Sequence, residues 1–310
     1  MRIVFMGTPE FATPSLRALV DADLAPIAVY TQPDRPAGRG RQLVSSPVKR
    51  AALALGIPIY QPASLRPIDA VEQLASLMPD LIIVAAFGQI LRPNVISIPV
   101  HGILNVHASL LPRWRGAAPI PAAILAGDQE TGVTIMQIDP GLDTGPMLSK
   151  AALPIAPDDT TGTLTAKLAD LGASLLVRTV PRWTSGEIVP EPQDQTQATL
   201  AERIKPNDAT IDWSQSADTI ARRVRAYQPW PGAQSQLFGK RLIILEADAG
   251  PSLAGRPGEL QLEGRSGLTV VTGDGSLRLR RLQLEGGKAL DVAAFRAGRR
   301  DLAGVRLQNP

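Results

Sequence analysis

The chain has 310 residues, of which 44% are apolar and 20% charged, a globular balance with length enough for two domains. It holds no cysteine and two histidines, which excludes disulfides, thiolate metal sites and a cysteine nucleophile and leaves little for a metal site of the usual kind. The net charge is +3, yet residues 1–199 carry 15 Lys+Arg against 17 Asp+Glu while 200–310 carry 17 against 12, so the basic second part suits either a polyanionic partner or a solvated surface.

The opening MRIVFMGTPEF reads as a first β-strand, not a secretory leader. No apolar run approaches the ~20 residues of a membrane span, so a cytoplasmic protein without a membrane partner is the expectation. Strands are predicted at 2–7, 25–31, 57–61, 81–88, 103–109 and 133–139, with helices over 14–22, 46–56, 67–78 and 117–128 between several of them. This alternation implies an α/β, doubly wound, mostly parallel sheet, whose ligands bind beyond the carboxyl ends of the strands. GTPEF at 7–11 lacks the glycine spacing of a dinucleotide fingerprint, so a nicotinamide enzyme is not indicated.

A long amphipathic helix follows over 161–183. The polar, aperiodic stretch EIVPEPQDQTQAT (187–199) reads as the start of a linker extending to 206. A second amphipathic helix covers 212–227, and strand candidates in 233–248, 267–285 and 288–298 surround the hairpin signal TGDGS. A small β-barrel of the oligonucleotide-binding type fits this length and charge. The resulting division is 1–186 for a catalytic domain, 187–206 for the linker and 207–310 for a basic barrel.

Four stretches carry chemistry. In ILNVHAS, Asn105 and His107 lie two apart on a predicted strand and therefore face the same side. An amide can stabilise an oxyanion, and an imidazole can move a proton or stabilise charge. Neither is a strong nucleophile, so the pair favours direct transfer over a covalent enzyme intermediate. A histidine that merely bonds a backbone carbonyl remains the alternative. In IDPGLDTGPM (138–147), Asp143 can complete such a site, whereas Asp139, directly before Pro140, reads as a turn cap. AAFGQILRP (85–93) offers an apolar turn for a flat heteroaromatic ligand, though taken alone it is an ordinary strand-to-helix turn. TQPDRPAGRGRQLVSSPVKR (31–50) is a long basic segment fit for phosphate contacts, or a solvated loop.

ILNVHASLLPRWRGAAPI (103–120) together with GLDTG (141–145) resembles the folate-dependent formyltransferase family. The resemblance covers nearly the whole chain and is strongest over residues 1–150. PDRPAGRG (33–40) and the basic C-terminal part are similar to the branch that acts on charged tRNA. The resemblance implies 10-formyltetrahydrofolate as co-substrate, tetrahydrofolate as product, no metal, and the α-amino group of methionine on initiator tRNA as acceptor, in translation initiation by a monomer. It implies a catalytic trio of Asn105, His107 and Asp143. For folate it implies the turn Phe87, Gly88, Gln89, Ile90 and Leu91 and the signature Ser109, Leu110, Leu111 and Pro112. For tRNA it points to Arg39 at the acceptor end, with Arg35, Arg41 and Lys49 on the same basic segment. His101 has no counterpart and reads as structural. Three rivals stand beside this reading: a formyltransferase for a small amine such as an amino sugar nucleotide or purine precursor, a hydrolase that releases formate from the same folate, and a non-catalytic RNA-binding protein.

Overall fold

Continuous apolar runs such as Ile3–Gly7 and Leu81–Ala85 are buried along their whole length, as strands covered on both faces must be. They form the centre of a computed structural model that describes residues 1–37, 42–299 and 301–308. In chain order the elements are β1 (Ile3–Gly7), α1 (Thr13–Asp21), β2 (Ala28–Tyr30), β3 (Arg35–Ala37), β4 (Gln42–Val44), α2 (Pro47–Ala54), β5 (Ile59–Tyr60), α3 (Ile68–Ser76), β6 (Leu81–Ala85) and α4 (Pro93–Ile96). Then come β7 (Ile103–His107), β8 (Arg115–Gly116), α5 (Pro119–Ala126), β9 (Glu130–Gln137), β10 (Met147–Pro154), α6 (Thr161–Thr184) and β11 (Leu200–Ala201).

Among the described residues the main sheet has the order β10-β9-β7-β6-β1-β2-β5. The five strands from β7 to β5 are mutually parallel, and β9 and β10 run antiparallel at one edge. Alternate residues feed one core layer, with Val4, Met6, Ile82, Val84 and Ile103 packed among helix residues such as Val71 and Leu74. The helices begin where the sequence offers caps. Ser46 accepts a hydrogen bond from the Lys49 amide ahead of α2, and Pro47 occupies its first turn.

The antiparallel edge departs from the sequence reading in one respect that matters for the site. β9 runs against β7, so Gln137 pairs with Leu104 near the start of β7. The chain therefore leaves β9 at the end opposite to the carboxyl edge of the parallel strands. Residues 138–146 then double back to begin β10, and the Gln137 amide donates to the Pro146 carbonyl at 2.9 Å.

The contacts divide the chain into two units. One comprises Met1–Pro119, Glu130–Pro154 and Thr165–Ala201, and the other Ile120–Gln129, Ile155–Leu164 and Glu202–Pro310. The segment expected as a linker is bonded to the first unit as far as Ala201: Glu191 bridges to Met147, and β11 pairs with β8.

The second unit contains α7 (Ala217–Ala226), β12 (Ala233–Leu237), β13 (Lys240–Gly250), β14 (Leu260–Glu263), β15 (Gly267–Val271), β16 (Ser276–Leu284), β17 (Ala289–Asp291) and α8 (Val292–Ala297). Residues 288–298, read as strand from sequence, are a three-residue strand followed by a helix. The antiparallel sheet has the order β12-β13-β16-β15-β14. The C-terminal segment fills the gap between its two ends. Gln308 pairs with Gln236 beside β12, and Arg306 pairs with Glu259 beside β14, which closes the sheet into a barrel. Inside it Trp213 donates to Ser235 Oγ at 3.0 Å, and that hydroxyl donates to the Gln308 carbonyl at 2.6 Å, so the buried indole and the closing strand satisfy one another.

Leu307, 2% exposed, seals this closure from within the barrel core. Leu307→Ala is expected to cost about 2–5 kcal/mol. The checking measurement is a denaturant midpoint for the C-terminal unit, accompanied by faster hydrogen exchange at the Gln236 and Gln308 amides.

Candidate active site

Period-two geometry sends Asn105 and His107 from β7 to the same face, and the returning 138–146 loop lays Asp143 against both. Asn105 Nδ2 donates to Asp143 Oδ1 at 3.4 Å, and His107 Nδ1 lies 3.7 Å from Asp143 Oδ2. The other histidine nitrogen, Nε2, is 2.9 Å from the Trp114 carbonyl. A carbonyl only accepts, so Nε2 carries a hydrogen and the Nδ1 edge is the one turned to the carboxylate. His107 is 5% exposed, which keeps this contact out of bulk solvent.

The backbone that delivers Asp143 is constrained. Asp143 has φ of 51°, a left-handed conformation that aspartate tolerates better than most residues. Gly145 passes so close to β9 that an added Cβ would stand 1.9 Å from the Gln137 carbonyl oxygen. Asp143 Oδ2 also accepts from the Gly116 amide at 2.9 Å. Asp139 behaves as the turn cap its sequence context suggested, accepting from the Gly141 amide at 3.0 Å and the Thr144 hydroxyl at 2.7 Å.

Two further side chains belong to this constellation and were not singled out in the sequence. Gln193, 6% exposed, donates to the Asp143 and Gly145 carbonyls at 2.7 and 2.8 Å. Arg115, 5% exposed, donates from Nε to Gln193 Oε1 at 2.8 Å. The only signal for Gln193 was a glutamine-rich polar stretch, which reads equally well as linker. Arg115 was visible in the RWRG run without a partner to explain it.

Beside the trio lies a cleft of about 270 Å³, walled by Val84, Leu91, Met136 and Ile138 and by the loop residues Asp139 to Asp143. Ile90 and Leu142 on its rim are 83% and 61% exposed. Of the residues expected at folate, Gln89, Ile90 and Leu91 line this cleft. The Gln89 amide is spent on the Leu65 N–H and the Pro62 carbonyl, so its side chain ties two loops together. Phe87 is 1% exposed, and its carbonyl accepts from Thr8 and Gln32 next to Gly88. Ser109, Leu110, Leu111 and Pro112 form the turn behind the trio. The Ser109 hydroxyl donates to the Arg113 carbonyl at 2.6 Å, and Leu111 packs with Met136 and Met147.

On the basic segment, Arg35 lies on β3 and its guanidinium reaches Gln32 Oε1 at 3.4 Å. Lys49 donates to Asp34 at 2.6 Å. That bond, with a second from Gln61, holds the Asp34 carboxyl below its ordinary range. Lys49 therefore clasps the base of the β3–β4 hairpin. Arg39 and Arg41 lie outside the described residues. Trp183 Nε1 donates to the His101 carbonyl at 2.8 Å, a contact with the histidine's backbone alone. No helix among the described residues is long and apolar enough to cross a membrane.

Comparison with known proteins places this geometry in context. Residues 1–180 match the formyl transferase family model, and residues 203–300 match that of the formyl transferase C-terminal domain. A methionyl-tRNA formyltransferase of Stenotrophomonas maltophilia is 52% identical over 308 residues, covering 97% of this chain and 99% of that protein. Among solved structures, an N-formyltransferase from Helicobacter canadensis, crystallised with folinic acid and dTDP-3-aminofucose, superposes with a TM-score of 0.68 at 18% identity, covering 90% of this chain and 98% of that one. HypX from Aquifex aeolicus in complex with tetrahydrofolic acid gives 0.65 at 19% identity over 98% of this chain, which spans only 48% of that longer protein.

The turn behind the trio is tied to β9 by one hydroxyl. Thr134 Oγ1 donates to the Ser109 carbonyl at 2.7 Å and accepts from the Leu111 amide at 3.1 Å, in full burial. Thr134→Val keeps the shape and orphans both groups, so a loss of about 1–3 kcal/mol per group is expected. Thermal or chemical unfolding measures it, and an unchanged midpoint would show that this turn has another support.

Proposed function

The chain belongs to the formyl transferase family, and on that premise we propose that it transfers the formyl group of 10-formyltetrahydrofolate to the α-amino group of methionine carried by initiator tRNA. The observation that carries the chemistry is the meeting of Asn105, His107 and Asp143 beside an apolar cleft. The acceptor rests on likeness to methionyl-tRNA formyltransferases at about half identity over nearly the whole chain.

The cleft suits a flat bicyclic donor. Its walls are apolar, its rim offers Ile90 and Leu142 for stacking, and main-chain groups of 139–143 supply hydrogen bonds. In the proposed reaction the free amine attacks the formyl carbon. A new C–N bond forms, the bond to N10 of the donor breaks, and N10 takes up a proton as tetrahydrofolate leaves. Asn105 donates to the oxyanion with the amide hydrogen that Asp143 does not use. A ring protonated on both nitrogens satisfies the Trp114 carbonyl and the Asp143 carboxylate together, which supports an electrostatic role for His107. Asp143 holds that charge, receives the proton the amine loses and returns it through water to N10.

The basic segment at 31–50 would meet the end of the acceptor stem through Arg35, Arg39 and Arg41. Lys49, already paired with Asp34, would act chiefly by fixing the hairpin. The barrel would hold the tRNA backbone without reading bases. With charged tRNA and reduced folate as substrates, the work would fall in the cytoplasm.

The test is transfer of labelled formyl from 10-formyltetrahydrofolate to Met-charged initiator tRNA, with Met-charged elongator tRNA, free methionine and an amino sugar nucleotide alongside. Label confined to the initiator species is the expected result, and label confined to a small amine would overturn the acceptor. Asp143→Asn and His107→Ala are each expected to lose about 100-fold or more in turnover while still binding folate. Near-normal rates in both would remove the trio. Arg39→Ala should lose tRNA use and keep folate binding, an outcome that normal activity on initiator tRNA would contradict.

A further inference from the structure

A loop that must hold a left-handed aspartate over a strand needs support from outside itself. Neighbours of the 138–146 loop within the sheet supply part of it, through the Gln137 amide on the Pro146 carbonyl. The rest comes from a segment about fifty residues downstream. Gln193 is buried at 6% exposure with both amide hydrogens and its oxygen engaged. Its two amide hydrogens go to the Asp143 carbonyl at 2.7 Å and the Gly145 carbonyl at 2.8 Å, and its oxygen accepts from Arg115 Nε at 2.8 Å.

The orientation of this amide is fixed by its neighbours. Two carbonyl oxygens on one side demand the NH₂ group, and a guanidinium on the other demands the oxygen. Arg115 is held in turn by Gln195 Oε1 at 2.8 Å and by the backbone pairing of β8 with β11. The same β8 presents the Gly116 amide to Asp143 Oδ2 at 2.9 Å. One element thus reaches the aspartate twice, directly at its carboxylate and through Gln193 at its carbonyl.

We propose that Gln193 is a positioning residue for the reaction, acting through the Asp143 backbone, and that residues 193–201 serve as a strap on the catalytic loop in addition to joining two units. This rests on the reading of Asp143 given above. Gln193 touches no reacting atom. It keeps the carboxylate at the distance from Asn105 and His107 at which it acts. Its loss should lower turnover more than it weakens folate binding, because Asp143 is one end of a cleft wall whose other side, Val84, Leu91 and Met136, does not depend on Gln193.

Gln193→Glu separates this role from simple packing. Glutamate has the same shape and gains an ion pair with Arg115, but its carboxylate turns an acceptor toward two carbonyls. The expected result is a fall in kcat of about 10-fold or more, as misplacement of a reacting group produces, larger than any accompanying rise in the folate KM. Activity relative to the unmodified protein should recover as pH is lowered and the carboxylic acid becomes a donor. A kcat equal to that of the unmodified protein across the pH range would overturn the proposal.

A second comparison stands even if Gln193→Glu proves too unstable to assay. In single-turnover formyl transfer, Gln193→Ala should lower the rate in the native background and change it by less than about twofold in Asp143→Asn. An equal fold loss in both backgrounds would make Gln193 a general structural support and refute the inference. Full activity of Asp143→Asn alone would instead remove the reading on which the inference rests, so the two failures are distinguishable.

Discussion

The structure of this site follows from the need to hold one carboxylate, in an uncommon backbone conformation, against an imidazole and an amide that are fixed on a strand. Asn105 and His107 are rigid because β7 lies between β6 and β9. Asp143 has no such frame, and its φ of 51° is not a conformation the chain keeps without constraint. The loop is therefore pinned at its ends by β9 and β10, at its side chain by Gly116 and at its backbone by Gln193. Each bond is ordinary in strength. Together they replace a secondary structure that the position cannot have.

The antiparallel edge explains where this loop lies. In a fully parallel sheet every strand would end at the ligand-binding edge. Here β9 reverses direction and leaves its exit beside Leu104, and β10 begins directly opposite, with Met147 against Met136, so residues 138–146 are an excursion longer than the hairpin requires. That return path walls the cleft with Ile138 and Leu142 and places Asp143 in a single excursion. A strand-to-helix connection at the same position would have delivered neither the wall nor the carboxylate over β7.

Much of this was legible in the sequence, and the reasons for what was not are physical. Continuous apolar runs announced β1 and β6, a Ser-Pro start announced α2, and the two-residue spacing announced the shared face of Asn105 and His107. β10, over MLSKAALP, was not among the predicted strands, and the direction of β9 was not legible because its pattern is the same whichever way it pairs. Gln193 was hidden for a related reason. Its role is fixed by carbonyls of residues 143 and 145 and by Arg115, all remote in sequence, and a buried glutamine in a polar stretch has no period to betray it. Lys49 shows the converse. Its charge was plain in the sequence, but the Asp34 partner that neutralises it depends on how the hairpin is anchored.

Charge pairing also qualifies what the basic C-terminal part offers to a polyanion. The arginines along β16 are not bare: Arg278 pairs with Glu263, Arg280 with Asp248 and Arg281 with Glu246. All three pairs are about half exposed, and such pairs contribute little to stability. A phosphate approaching β16 therefore competes with a carboxylate whose loss costs the fold little, and it releases a side chain already extended from the strand. The net excess of positive charge sets the long-range attraction. Short-range contact of a polyanion with this face would be an exchange of one anion for another, and such an exchange responds steeply to salt and weakly to base sequence.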